Sequence, residues 1–297
     1  MNYCGGEILT CTPENFKKFL FNIELGTSEI EDAKTKHNSI CEKLHNHYYE
    51  TTYTGATKLI VGSCGKKTAI NPLNDVDVIF KLPFSEKKRY DDYKNNGQSQ
   101  LLQDVKNILL KSYPRTSIRG DGPVVAVDFE TCKIELIPSV KMSSSYYVPI
   151  TSDGGNWERT EPIIEKESVQ TSNSRSNGNT INLIKMIKTW KNYCNVPIKS
   201  LAIELIAIDF LEIWEYYDKS NVYYDWMVRD FFETLVNSAG KSHDIPGTYN
   251  TLDYGDQWVS KAETAHERAE KAIEYESKKL NYCARDEWKK IFGNKFG

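Results

Sequence analysis

The sequence predicts a mixed α/β (α+β) fold in two parts: a mixed sheet with helices over residues 1–160 and a helical lobe over residues 161–297. Three observations carry this. Apolar residues recur at helical spacing at both ends of the chain. The stretch between them switches to short apolar runs and period-two alternation, and no internal repeat is evident. A length of 297 residues suffices for two modest domains or one large one.

Glu14 to Leu25 has the pattern of a short amphipathic helix. A longer helix is expected from Ser28, where Ser28 and Glu31 have capping-box spacing. It would carry Ile30, Ala33, Ile40, Leu44 and Tyr48 near one face. Lys58 to Val61 is an apolar run that stops at Gly62, and Asp75 to Phe80 begins in strand alternation. Asp91 to Ser112 is helical in pattern. Val124 to Phe129 and Lys133 to Val140 form a predicted hairpin. Lys141 to Thr180 is rich in Ser, Asn, Gly and Thr and is expected to be a long functional connection. Helices are then expected over Ile181 to Cys194, Ser200 to Tyr217, Tyr224 to Asn237 and Gln257 to Lys289.

The composition narrows the function classes. Hydrophobic residues at 39% and charged residues at 27% describe a globular chain. A net charge of -3 argues against a general nucleic-acid binder, though not against a local pocket for phosphates. The start, Met1-Asn2-Tyr3-Cys4-Gly5-Gly6, does not resemble a signal peptide. The most apolar stretch, Leu201 to Trp214, is interrupted by Glu204, Asp209 and Glu212 and is too short to span a membrane. Seven cysteines with no CxxC pair suit reduced thiols in a cytoplasm.

The most informative segment is Val61 to Val78. Alternate side chains of a strand share a face, so Asp75 and Asp77 point one way while Val76 and Val78 point to the core. Two carboxylates held so close repel each other unless a cation lies between them, and hard oxygens suit magnesium. A third acid would complete a two-metal site for phosphoryl chemistry. Glu135, a lone acid between apolar neighbours, and Asp128, on the other arm of the hairpin, are both candidates. Gly62 lets backbone approach a phosphate, and Ser63 can donate to it. An Asp-x-Asp pair alone is more often a solvated strand face. The order Gly-Ser, eleven residues, Asp-x-Asp and a downstream strand acid is far more specific.

That order resembles the signature of the DNA polymerase β-like nucleotidyltransferases. Gly62-Ser-Cys-Gly-Lys-Lys-Thr68 with Asn74-Asp-Val-Asp77 is similar to the branch that holds oligoadenylate synthetase, animal cyclic GMP–AMP synthase and the bacterial cyclic-oligonucleotide synthases of antiphage defence. Ile134-Glu-Leu-Ile-Pro138 resembles that branch's third-carboxylate strand, which favours Glu135 over Asp128. Asn156-Trp-Glu-Arg-Thr-Glu-Pro162 resembles a Trp and Pro loop of the bacterial members. Ile184-Lys-Met-Ile-Lys-Thr-Trp190 and Ile198-Lys-Ser200 resemble their helical second lobe.

The resemblance implies a polymerase β-like sheet packed against that lobe, with the active site in the cleft. It implies that Asp75, Asp77 and Glu135 hold two Mg2+ ions, with Mn2+ as a substitute, and that Lys188 and Ser200 hold the donor triphosphate, with Lys185 sharing the task. Without the resemblance, these lysines would be taken as a solvated helix face. The implied reaction makes a cyclic di- or trinucleotide second messenger from ATP or other NTPs and releases pyrophosphate, in antiphage defence. An activating partner protein or RNA is a further implied contact. Tailing of RNA or tRNA ends and a catalytically silent nucleotide-binding module are the competing readings. His37, Cys41 and His45 share a helical face, more simply a solvated face than a metal site. The tail Ile291-Phe-Gly-Asn-Lys-Phe-Gly297 is expected to leave its helix near Gly293 and fray. The competing reading, also implied by the family, joins Gly297 to a partner resembling ubiquitin-activating and ubiquitin-conjugating enzymes.

Overall fold

The computed structural model describes residues 11–297, without the Cys11 side chain; the opening segment through Gly6 lies outside the described residues. The chain divides into two compact units, neither of them a single stretch. One comprises Leu25–Glu167 and Ile245–Asn250 and is called here the sheet unit. The other comprises the segment ending at Glu24, Ser168–Asp244 and Thr251–Gly297 and is called the helical unit.

The sheet unit contains α2 (Thr27–Tyr48), α3 (Gly62–Lys66), α4 (Phe84–Asp91) and α5 (Gly97–Ser112). Its strands are β1 (Lys58–Ile60), β2 (Asp75–Leu82), β3 (Ser117–Asp121), β4 (Val124–Asp128), β5 (Lys133–Met142), β6 (Ser145–Ile150) and β7 (Asn156–Thr160). They form one mixed sheet in the order β1-β2-β5-β4-β3, with β6 and β7 added along β5. Only β2 and β5 run parallel; the other pairs are antiparallel. The predicted hairpin is therefore β4–β5, closed by Phe129 N–H donating to Cys132 O at 3.2 Å. Val76, Val78, Ile134 and Leu136 share a core with Ile40 and Leu44 of α2 and with Leu101, Leu102, Val105 and Leu109 of α5. Both helices thus cover one face of the sheet, and the odd-numbered carboxylates point to the other.

Three local expectations change. The capping residue of α2 is Glu29, not the Ser28–Glu31 pair: helix entry is at Gly26, whose N–H donates to Glu29 Oε2 at 2.9 Å. Ile30 is 47% exposed, so it lies off the core face. The stretch expected to be helical from Asp91 is broken at residues 92–96, where the Asn96 side chain caps α5 by accepting from Ser99 N–H.

The expected long connection over 141–180 is mostly regular structure. It contains β6, β7 and α6 (Pro162–Arg175), which begins with a proline at its first position and crosses the unit boundary at Ser168. Polar composition misled here because the hydroxyls satisfy one another: Thr180 Oγ1 lies 2.8 Å from both Ser172 Oγ and Ser176 Oγ, all buried. The Trp and Pro loop of the resemblance is accordingly strand β7 followed by the start of α6.

The helical unit holds α1 (Cys11–Ile23), α7 (Asn179–Tyr193), α8 (Ser200–Ile213), α9 (Tyr224–Val236), α10 (Val259–Ser277) and α11 (Asn281–Phe292), with a small hairpin of β8 (Ser242–Asp244) and β9 (Thr251–Asp253). Lys279, at φ 62, ends α10 and divides the single helix expected over Gln257 to Lys289. Ala262, Ala265, Ala269 and Ala272 make the buried stripe of α10. α11 stops at Gly293 as expected, with φ 71. The tail, however, is docked and not frayed. Phe296 is fully buried among Phe16, Phe19, Trp288 and Phe292, and Gly297 O accepts from Arg285 at 2.7 Å. No helix of the described residues is long and apolar enough to cross a membrane.

Candidate active site

In the sheet unit, β1 runs antiparallel to β2, and Val61 N–H donates to Asp77 O at 3.0 Å. The chain then turns at Gly62, with φ +58, into the short α3. A Cβ on Gly62 would stand 1.8 Å from Asp77 Oδ2, so only glycine lets the turn lie against this carboxylate. Gly65 is equally constrained, because a Cβ there would meet Ile60 O at 2.5 Å. Thr68 N–H donates to Ser63 O at 2.9 Å, which folds Gly62 to Thr68 back on itself. The spacer before β2 is tied to α2 by Glu29, which accepts from Asn71 Nδ2 at 2.9 Å and from Leu73 N–H at 3.2 Å.

Parallel pairing sets Asp77 opposite Glu135 and Asp75 opposite Lys133. Asp128 is farther from β2, on β4, where it pairs with Arg119 and accepts from Ser117 Oγ at 3.1 Å. Burial pushes the Asp77 carboxyl up to about 7, helped by the charges of Asp75 and Glu135 and by a hydrogen bond with Glu135. Lys66 opposes this shift; it is 6% exposed and paired with Glu165 of α6. Burial, followed by the same aspartates, lifts the Cys64 thiol to about 11. Crowded hard oxygens that retain a proton at neutral pH are a donor set suited to a divalent cation. Glu135 Oε1 is meanwhile paired with Lys133. Among the described residues no three His, Cys, Asp or Glu side chains are already arranged to hold a metal ion.

In the helical unit, Lys185 and Lys188 lie on α7 and Ser200 opens α8. The lysines are not a solvated face: they are 7% and 6% exposed. Lys188 Nζ donates to Glu204 Oε1 at 2.5 Å, and Lys185 Nζ to Glu24 Oε2 at 2.5 Å. Ser200 Oγ accepts from Lys191 Nζ at 2.9 Å. Sequence reasoning missed Lys66, Lys191 and the acidic partners Glu24, Glu165 and Glu204. The pairings of Glu24 with Lys185 and of Glu165 with Lys66 join distant segments, and the nearer ones of Glu204 with Lys188 and of Lys191 with Ser200 run between two helices; no local pattern announces any of them. The helix face with His37, Cys41 and His45 packs inward. His37 is held down to about 4 by burial and the nearby Lys58, and His45 Nε2 lies 2.8 Å from Thr51 O.

A family model described as Second Messenger Oligonucleotide or Dinucleotide Synthetase domain matches residues 11–173. The chain is 26% identical over 283 residues to a probable cyclic nucleotide synthase of Bacillus cereus (strain VD146), covering 82% of this chain and 83% of that protein. It is 21% identical over 303 residues to a cyclic AMP-AMP-AMP synthase of Acinetobacter sp., covering 98% of this chain and 87% of the relative. Among solved structures, CdnC of E. coli MS115-1 in its HORMA-deltaN complex aligns over 98% of this chain and 100% of that one, with a TM-score of 0.75 at 16% identity.

Proposed function

The chain belongs to the Second Messenger Oligonucleotide or Dinucleotide Synthetase family, and from that membership we propose that it makes a cyclic di- or trinucleotide from ATP or other NTPs with Mg2+. The fold and the nucleotidyltransferase class follow from the family; the metal, the product and the residue roles are the proposal. The observation that carries it is the register of β2 and β5, which sets Asp77 beside Glu135 with Asp75 on the same face.

Asp75, Asp77 and Glu135 would hold two metal ions, Mg2+ or Mn2+, once Glu135 leaves Lys133. Bound there, divalent cations supply charge neutralisation and activation of a ribose hydroxyl. Gly62 leaves room beside Asp77, and Ser63 with the neighbouring amides donates to phosphate oxygens. Lys188, Lys185 and Ser200 bind the donor triphosphate, with phosphate competing against Glu204 and Glu24 for the two ammonium groups. The attacking ribose oxygen forms a bond to the α-phosphorus, the α–β bridging P–O bond breaks, and pyrophosphate leaves. A second or third transfer closes the ring.

The decisive experiment incubates the protein with a mixed NTP pool and Mg2+, without RNA, and identifies products by mass spectrometry. Cyclic products that vanish in the Asp75→Asn/Asp77→Asn variant support the proposal. Turnover by that variant, or products only as extended RNA when RNA is added, would overturn it. Linear tailing is the weaker reading because the net charge is -3.

The same reading places the enzyme in the cytoplasm, consistent with free Cys41, Cys64, Cys132, Cys194 and Cys283, and its product in antiphage signalling. An activating protein or RNA would raise its rate of synthesis. HORMA-deltaN is the partner named with CdnC. Joining of Gly297 to a ubiquitin-activating or ubiquitin-conjugating-like partner would first require Phe296 and Arg285 to release the tail. Plaque counts in cells carrying the wild type or Asp75→Asn/Asp77→Asn test the defence role, and equal counts would remove it.

A further inference from the structure

The sheet unit contains a cavity of about 570 Å³ between the segment leading into α5 and the turn entering β7. It shares no lining residue with the carboxylate cluster. α5, which begins at this cavity, packs on the sheet face that carries Val76, Val78, Ile134 and Leu136. Strand alternation puts Asp75, Asp77 and Glu135 on the opposite face.

Two independent features of the cavity lack internal partners. The first is the start of α5, a helix of 16 residues. Asn96 Oδ1 caps Ser99 N–H at 2.8 Å, leaving the N–H groups of Gly97 and Gln98 without a partner among the described residues. Such a helix end favours an anion. The second is the Gln98 side chain. It is 6% exposed, it lines the cavity, and its carboxamide has no hydrogen-bond partner among the described residues. Gly155, at φ +91, lies beside it: a Cβ there would come 2.5 Å from both Asn96 Oδ1 and Gln98 Oε1. The polar atoms of the Gln98 amide are open to the cavity, where the described residues give them no partner.

The walls add ring surface and charge. Tyr93 is 42% exposed and Trp157 is half-buried. Lys94 is exposed. The one lining carboxylate, Asp91, is already engaged by Trp157 Nε1–H at 2.7 Å and by Lys87 at 2.7 Å. We propose that this cavity binds a nucleoside phosphate, separately from the catalytic carboxylates. The phosphate would meet the start of α5 and Lys94, the base would lie against Tyr93 and Trp157, and Gln98 would bond to polar atoms of the nucleoside. A neutral sugar would leave the helix end and Lys94 without their counterpart.

The test is photolabelling of the full chain with 8-azido-AMP, followed by peptide mapping. Adducts should appear on peptides containing Tyr93 or Trp157, and excess AMP should reduce them at least fivefold. An equal concentration of inorganic phosphate should not. Gln98→Leu and Lys94→Glu should each reduce this labelling at least fivefold, whereas Asp75→Asn/Asp77→Asn should leave it unchanged. Circular dichroism checks that Gln98→Leu folds; if it does not, Lys94→Glu, at an exposed position, decides alone. Absence of adducts on these peptides, or labelling unaffected by the folded variants, overturns the proposal. Equal competition by inorganic phosphate reduces the site to a simple anion site and overturns its nucleoside part.

Discussion

Asp77 stores a cost that a cation can remove. In an unfolded chain its carboxyl titrates near its ordinary value of 3.8; in the folded protein it titrates at about 7, chiefly through burial and then through Asp75 and Glu135. Between those values the folded state binds more protons than the unfolded state, so stability falls as pH rises, and the penalty is complete above about 7. Asp77→Asn should therefore stabilise the metal-free protein at pH 8 by roughly 1–3 kcal/mol and change little near pH 3.5. Thermal melts in EDTA at the two pH values check this, and a variant no more stable than wild type at pH 8 contradicts it. Added Mg2+ should raise the melting temperature of the wild type more at pH 8 than at pH 6, because binding must displace the retained proton. Gly62 imposes a second constraint on the same carboxylate. Gly62→Ala puts a methyl group 1.8 Å from Asp77 Oδ2 at a backbone φ of +58. Product formation should fall by about 100-fold or more, the cost of about a 1 Å misplacement. Wild-type turnover in this variant would show that the turn is free to move away.

At the scale of elements, the buried contact between α7 and α8 is the informative one. Lys188 and Glu204 are 6% and 2% exposed, so Lys188→Ala takes an ammonium from a carboxylate that water barely reaches. The loss should be about 3–5 kcal/mol of stability, alongside weaker NTP binding from the lost contact to the donor triphosphate. Adding Glu204→Gln should restore most of the melting temperature without restoring NTP affinity. Equal melting of Lys188→Ala and wild type would show that the pair is not structural. Sequence alone placed Lys188 on a helix and offered a phosphate site or a solvated face, because period 3.6 locates a face without saying what lies opposite. The strand set was more legible. Val76, Val78, Ile134 and Leu136 alternate with acids, and alternation fixes which side is core. The register that brings Asp77 to Glu135 was not readable, since pairing across 58 positions leaves no local mark. The polar stretch from α6 into α7 has the composition of a connection because burial of Ser172, Ser176 and Thr180 depends on mutual hydrogen bonds that composition does not show.

On the scale of the whole molecule, the first described helix meets the last residues of the chain within the helical unit. Phe16 and Phe19 of α1 lie against Phe292 and Phe296, with ring centroids 4.5–6.4 Å apart. Asn22 Nδ2 donates to Lys295 O at 2.9 Å. This contact explains why α1 groups with residues far along the chain and not with α2, which follows it directly. It also turns the last residues from an appendage into part of a core. Phe296→Ala should cost about 3 kcal/mol if the surrounding rings cannot close the space left behind. The melting temperature should then fall by roughly 6–12 °C. A frayed end predicts no change, so calorimetry separates the two directly. Protease sensitivity provides a second readout: α1 and the segment after Gly293 should both become cleavable in Phe296→Ala, because each covers the other. Cleavage confined to the tail, with α1 still protected, would mean that the aromatic cluster holds without Phe296.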